Sequence, residues 1–134
     1  MKITLSIGFL FLSLFSPQQD KTFIEKFTIG EYSYTVYSKP SYIHDDDVHA
    51  EFFVINKNGK QISAFKTAKQ KGELITKGSY RHTNTFIEFR EYYHGTNASK
   101  ADSIMKRYYP NKKGDLVLTE YTNYKHGVAT ITKY

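Results

Sequence analysis

The densest group of chemistry-bearing residues is the run His44-Asp45-Asp46-Asp47-Val48-His49, three aspartates between two imidazoles just ahead of an apolar segment. Carboxylate beside imidazole is metal-ligand chemistry, so Asp45, Asp47 and His49 form the candidate ligand set. On an extended strand, residues two apart lie about 6.6 Å apart along the chain. The three would then share a face but span about 13 Å, with His44 turned the other way. Metal–ligand bonds of about 2.0–2.6 Å cannot gather groups spread that far round one ion. In a helical turn Asp45 and His49, four apart, would converge. A calcium loop has the spacing D-x-[DN]-x-[DN]-G, and no glycine lies nearby to allow its sharp turn. The run reads best as a solvated acidic loop leading into a strand at Ala50.

Catalytic groupings are scarce. The chain has no cysteine, no G-x-S-x-G and no H-E-x-x-H. Its 5 histidines, at 44, 49, 82, 94 and 126, stand beside polar or turn residues. Glu88, Glu91 and Glu120 would serve glycoside hydrolysis only if two of them faced each other about 5–9.5 Å apart across a cleft. Nothing in their spacing brings them together. The expectation is a protein that is not an enzyme and needs no cofactor.

The tyrosines say more. There are 12, all beyond residue 18, and no tryptophan. A strand tyrosine ordinarily buries its ring and keeps its hydroxyl at the surface. Yet "EYYH", "RYY" and "EYTNY" place tyrosines on both faces of neighbouring strands, and a small domain cannot bury both faces. Some must be exposed, interleaved with Arg90, Lys106, Arg107 and Lys125. Tyrosine and arginine dominate interface hot spots, whereas lysine does not. The candidate binding surface is therefore Arg90, Tyr92, Tyr93, Arg107, Tyr108, Tyr109, Tyr121 and Tyr124.

The elements that must position these residues read as strands, rich in Tyr, Phe, Thr, Ile and Val with glycines at turns. In "TFIEKFTIGEYSYTVYS", alternation puts Phe23, Phe27 and Ile29 on one face with Glu25, and Tyr32, Tyr34 and Val36 continue after Gly30. "HAEFFVIN" and "QISAF" flank Asn58-Gly59, which supplies the positive φ angles of a tight hairpin. "GELITKGSY" reads as a shorter strand broken at Gly78, and "TFIEFREYYH" as an alternating one. Then "SIMKRYY", "LVLTEYT" and "VATITKY" are separated by the turns "PNKKGD" and "NYKHG". Residues 98–108 also carry a helical pattern, with Thr96 or Asn97 as cap and Pro110 as stop. A strand from Ser103 is preferred, because it matches the run beyond "PNKKGD" in length. The fold class expected is mainly β: a single antiparallel sandwich or barrel-like domain of about 7–9 strands.

Tyr92, Tyr108 and Tyr124 are spaced by 16, each ahead of a polar turn with glycine. The segment from Asp102 to Gly127 resembles the tyrosine-rich, turn-glycine hairpins of MORN-type repeats. It departs from them at Lys112-Lys113, where those repeats place glycine directly after asparagine. The resemblance implies an interaction surface rather than an enzyme. Asn97-Ala98-Ser99 matches an N-glycosylation sequon, and Asp102-Ser103-Ile104 resembles a bacterial O-glycosylation site.

Met1 to Gln18 has the layout of a secretory signal peptide: Lys2, then an apolar run from Ile3 to Phe15, then a polar flank. The run is too short for a membrane span of about 20 residues. The chain of 134 residues less these 18 leaves 116, one domain over 19–134. Such a domain buries roughly two-thirds of its unfolded surface and folds without staples, as it must without cysteines or disulfides. The formal net charge is +6, of which Lys2 leaves with the leader. The remainder is spread along the chain, which is no nucleic-acid footprint. No second segment is long and apolar enough to span a membrane. The reading is an exported protein, periplasmic or secreted, that binds an unknown protein partner: an inhibitor, an immunity-type protein or an envelope accessory module. A barrel-shaped carrier of a small ligand is the alternative, and a hydrolase a more distant third.

Overall fold

The computed structural model describes residues 21–57, 60–94 and 102–134. In chain order the strands are β1 (Thr22–Ile29), β2 (Tyr32–Ile43), β3 (Val48–Lys57), β4 (Lys60–Gln70), β5 (Glu73–His82), β6 (Ile87–Tyr93), β7 (Ser103–Pro110), β8 (Leu116–Lys125) and β9 (Val128–Lys133). Each pairs antiparallel with the next, giving one 9-stranded sheet ordered β1 to β9. The mainly β class stands. The sheet is one continuous meander, however, neither closed into a barrel nor divided into two sheets.

Among the described residues there is no helix, and none therefore long and apolar enough to cross a membrane. The helical pattern over 98–108 gives way to β7 from Ser103, which is held on both sides by β6 and β8. Two flanking ladders satisfy its backbone, where a lone short helix would leave its end groups open. Residues 96–101 lie outside the described residues, and so do the leader 1–18, the sequon at Asn97 and the Asn58-Gly59 turn. Lys57 pairs with Lys60, so β3 and β4 form the hairpin that turn implies. Among the described residues two further tight turns are built on two successive positive φ angles: Lys71-Gly72 at 49° and 83°, and His126-Gly127 at 53° and 79°. Two successive positive φ angles match the right-handed twist of the strands they join.

An antiparallel meander has one face to bury, and this one buries it by bending. The β4–β5 ladder joins only Thr67–Gln70 to Glu73–Lys77. Beyond Lys77 the two strands separate, and the backbone of Phe65 crosses over Gly78. A Cβ on Gly78 would stand 1.7 Å from the Phe65 carbonyl oxygen. The Phe65 N–H, without a β5 partner, donates to the Glu91 carboxylate on β6 at 2.8 Å. Gly78 is thus not the strand break its type suggests. β5 runs through it, and the missing side chain makes room for the crossing strand.

The bend brings β1–β4 over β5–β8 and fills the space between them with Phe27, Ile29, Tyr34, Val36, Phe53, Ile55, Ala64, Ile87 and Phe89. Phe53 meets Tyr80 edge-on at 4.9 Å, and Phe89 meets Tyr108 at 5.9 Å. The two halves are also tied by polar contacts. Tyr32 donates to the Lys112 carbonyl at 2.7 Å, and Tyr34 donates to that of Gly114 at 2.6 Å. Burial pushes the Tyr34 hydroxyl up to about 12. At the opposite end Glu25 accepts from Tyr80 and lies 3.1 Å from the His82 ring nitrogen. The Tyr80 hydrogen bond holds the Glu25 carboxyl below its usual range, outweighing the effect of burial.

Strict alternation fails at the start of β1. Phe23 pairs with Tyr37 and Glu25 with Val36, which leaves Ile24 as an extra residue. This bulge resets the faces. Phe23 is 57% exposed, and Ile24 packs against the core in its place.

Replacing Gly78 by Ala forces the Phe65 strand away and breaks its bond to Glu91. The expected cost is about 3 kcal/mol or more, the upper end for overpacking. Urea unfolding should show this as a large fall in midpoint, against no more than about 0.5 kcal/mol for Ser79→Ala next to it.

Candidate functional site

Directly opposed residues of an antiparallel ladder share a face, so the registers lay out the outer face of β5–β8 as three rows. Arg81, Glu88, Arg107 and Glu120 form the first, Ser79, Arg90, Met105 and Thr122 the second, and Lys77, Tyr92, Ser103 and Tyr124 the third. The first row alternates in charge. Glu88 at its centre is 5% exposed and accepts from Arg81 Nε at 2.9 Å and from Arg107 Nη2 at 2.7 Å. Burial raises its carboxyl, but hydrogen bonds from both guanidinium groups and their charges more than offset this and hold it below the usual 4.5. The Phe86 ring carries both cations, with Arg107 at 4.3 Å and Arg81 at 5.2 Å. Tyr109 leans on the same ring at 5.5 Å.

In the second and third rows Met105, Ser103 and Thr122 are buried, and the exposed part is Lys77, Ser79 and Tyr92 with Arg90 and Tyr124 half-buried beside them. Arg90 lies 5.5 Å from the Tyr124 ring centre, and Tyr92 is 38% exposed. Among the described residues no carboxylate stands within ion-pair distance of Arg90. Two shallow concavities, of about 310 and 400 Å³, adjoin at Ser79 and Tyr92. They run from Arg81 and Glu88 to Lys77 and His94. Guanidinium and phenol groups together offer flat apolar area with directed donors, which suits recognition of carboxylates and planar groups.

Of the eight residues singled out in the sequence, Arg90, Tyr92, Arg107, Tyr109 and Tyr124 belong to this face. The other three, Tyr93, Tyr108 and Tyr121, lie on the inner side. Tyr108 pairs with Ile87 of the core, and Tyr93 donates to Glu91 at 3.0 Å. Burial raises both hydroxyls above their ordinary value. Tyr121 pairs with Lys106 on that side. Lys77, Arg81, Phe86 and Glu88 join the face, although none of them was among the residues named for a binding surface. The signal for two of them was present: Arg81 and Glu88 stand symmetrically about the turn between β5 and β6, and a hairpin pairs such residues.

The acidic run forms the tight turn between Ile43 and Val48, so β3 starts two residues ahead of Ala50. Asp47 has a positive φ of 50°. Its carboxylate accepts from Tyr42 at 3.4 Å and lies 3.4 Å from His49 Nε2. Among the described residues, no three His, Asp or Glu side chains are grouped so as to hold a metal ion. Glu88 and Glu91 point to opposite faces. The buried Glu91 is held by Phe65 and Tyr93, while Glu120 pairs with Arg107 in the outer row.

Comparison with models of protein families, with curated proteins and with solved structures finds no match to this chain.

Glu88→Gln removes the charge that holds Arg81 and Arg107 in place, and should cost about 1.5–3 kcal/mol at neutral pH. Because folding lowers the pKa of this carboxyl, its stabilisation is complete above 4.5 and is lost as pH falls through the folded value. Urea midpoints of wild type and variant should therefore differ most near about pH 7 and converge as pH falls below 4.5.

Proposed function

We propose that this chain is an exported binding module that engages a protein partner through the outer face of β5–β8. Export rests on the leader pattern from Met1 to Gln18. The observation that carries the binding reading is Arg90, stacked at 5.5 Å on Tyr124 beside the exposed Tyr92, in an open groove. A cation held over a ring with no carboxylate beside it is preorganised for an acidic group brought by a partner. The alternating first row argues against a nucleic acid, since Glu88 and Glu120 break the basic surface a polyanion needs. The carrier alternative would require strands closed round a cavity. Here the sheet is open, and the centre of the space between its halves is filled by Val36, Ile87 and Phe89, which leaves a cavity of about 330 Å³ at one end, between Tyr34, Ile55 and Ile62 on one side and Asp115 and Leu116 on the other. An inhibitor, an immunity-type protein and an envelope accessory protein all fit a partner with acidic, planar anchors.

The test is affinity capture with two baits, wild type and Arg90→Glu, from envelope and secreted fractions of the source organism. The reading predicts a protein held by the wild type at high salt and weakened at least about tenfold by the substitution. Equal retention on both baits, or retention that salt removes, contradicts it.

A further inference from the structure

Strand β9 is the open edge of the sheet, and all six of its residues are exposed. Val128 is 65% and Ile131 57% accessible. The direction of its backbone groups follows from one bond: Tyr134 N–H donates to the Thr119 carbonyl at 2.9 Å. Inward and outward groups alternate along an antiparallel strand. Val128, Thr130 and Thr132 therefore bond to β8, while Ala129, Ile131 and Lys133 turn their N–H and C=O groups outward.

An edge of this kind is ordinarily blunted by a bulge, a proline or charges. The other edge is blunted: β1 has the bulge at Ile24, carries Glu25 and Lys26, and is tied down by Tyr80 and His82. β9 has no register shift against β8, no proline, and one charge, Lys133, opposite Glu120.

We infer that this edge is occupied by β9 of a second copy, paired antiparallel about a two-fold axis at Ile131. In that register Ile131 meets its own counterpart, Ala129 meets Lys133, Thr130 meets Thr132, and Val128 meets Tyr134. Every outward N–H and C=O finds a partner, and no like charges oppose. Hydroxyl faces hydroxyl and apolar faces apolar, the pairs that stabilise a sheet. The register is unique. A shift of one residue sets outward groups against inward ones, and a shift of two leaves an outward residue without a partner on the facing strand. The pairing is isologous and closes at two copies. It joins two 9-stranded sheets into one and sets the two arginine–aromatic faces side by side. It goes beyond the binding reading and does not depend on it.

The test is light scattering on the purified chain at about 100 μM, a concentration that detects micromolar association. The wild type should run at twice the chain mass. Ile131→Lys and Ile131→Glu should each run at one chain mass, because each places like charges on the axis, with far-UV circular dichroism unchanged. An equimolar mixture of the two variants should recover the double mass. Ile131→Pro, which removes only an outward N–H, should also run as a single chain. A wild type that stays at one chain mass overturns the proposal, as it would if the edge served a strand from another protein. So does a dimer that survives Ile131→Lys, or a mixture that fails to reassociate.

Discussion

The close crossing of Phe65 over Gly78 is the constraint on which the rest of the structure depends. A nine-stranded meander that stayed flat would expose both faces, and no amount of local strand propensity would then hold it together. With the β4–β5 ladder ending at Lys77, β4 leaves the plane of β5, and its first residues lie over the second half of the sheet. Phe53 and Ile55 then meet Tyr80, Ile87 and Phe89. Glu91 completes the bend by taking the Phe65 amide that the interrupted ladder leaves unpaired. A buried carboxylate is costly unless hydrogen-bonded, and this one is bonded to both Phe65 and Tyr93. Among the described residues no buried side-chain polar atom lacks a partner.

The bend also decides which face can bind. Once the inner sides of β1–β4 and β5–β8 are buried against each other, the outer side of β5–β8 carries three registered rows, with Glu88, Ser103, Met105 and Thr122 buried under their neighbours and Lys77, Ser79 and Tyr92 exposed. Glu88 organises the first row. By drawing Arg81 and Arg107 onto Phe86, it fixes two long side chains that would otherwise lose entropy on binding. Arg90, one row along, has a ring rather than a carboxylate for its partner. The first row thus pairs its charges with one another, while Arg90 in the second keeps its charge over a ring.

Much of this was legible in the sequence and some was not. Alternation and turn residues locate the hairpins well, because period two and a two-residue loop are local properties. The irregularities were invisible: the extra residue at Ile24 flips Phe23 outward, and further shifts fall between Glu51 and Phe52, between Ala68 and Lys69 and between Arg107 and Tyr108. The even spacing of Tyr92, Tyr108 and Tyr124 was misleading as a guide to faces. Ser103 pairs with both Tyr92 and Tyr124, but Tyr108 lies an odd number of positions beyond it and so turns inward. Sorting the eight candidates into five outer and three inner residues requires the registers, which are set by how the whole sheet packs. The role of Gly78 depends on a strand 13 residues away in the chain, and no local pattern carries that.

The central claim is that the outer face of β5–β8, and not the turn at His44–Asp47, meets the partner. Hydroxyl-radical footprinting of the chain in envelope or secreted extract, compared with buffer, tests it most directly. Tyr42, 50% exposed and bonded to Asp47 of that turn, serves as the internal control. The account predicts that Tyr92 and Tyr124 lose reactivity in extract while Tyr42 keeps it. Protection of Tyr42 with Tyr92 and Tyr124 unchanged would contradict it.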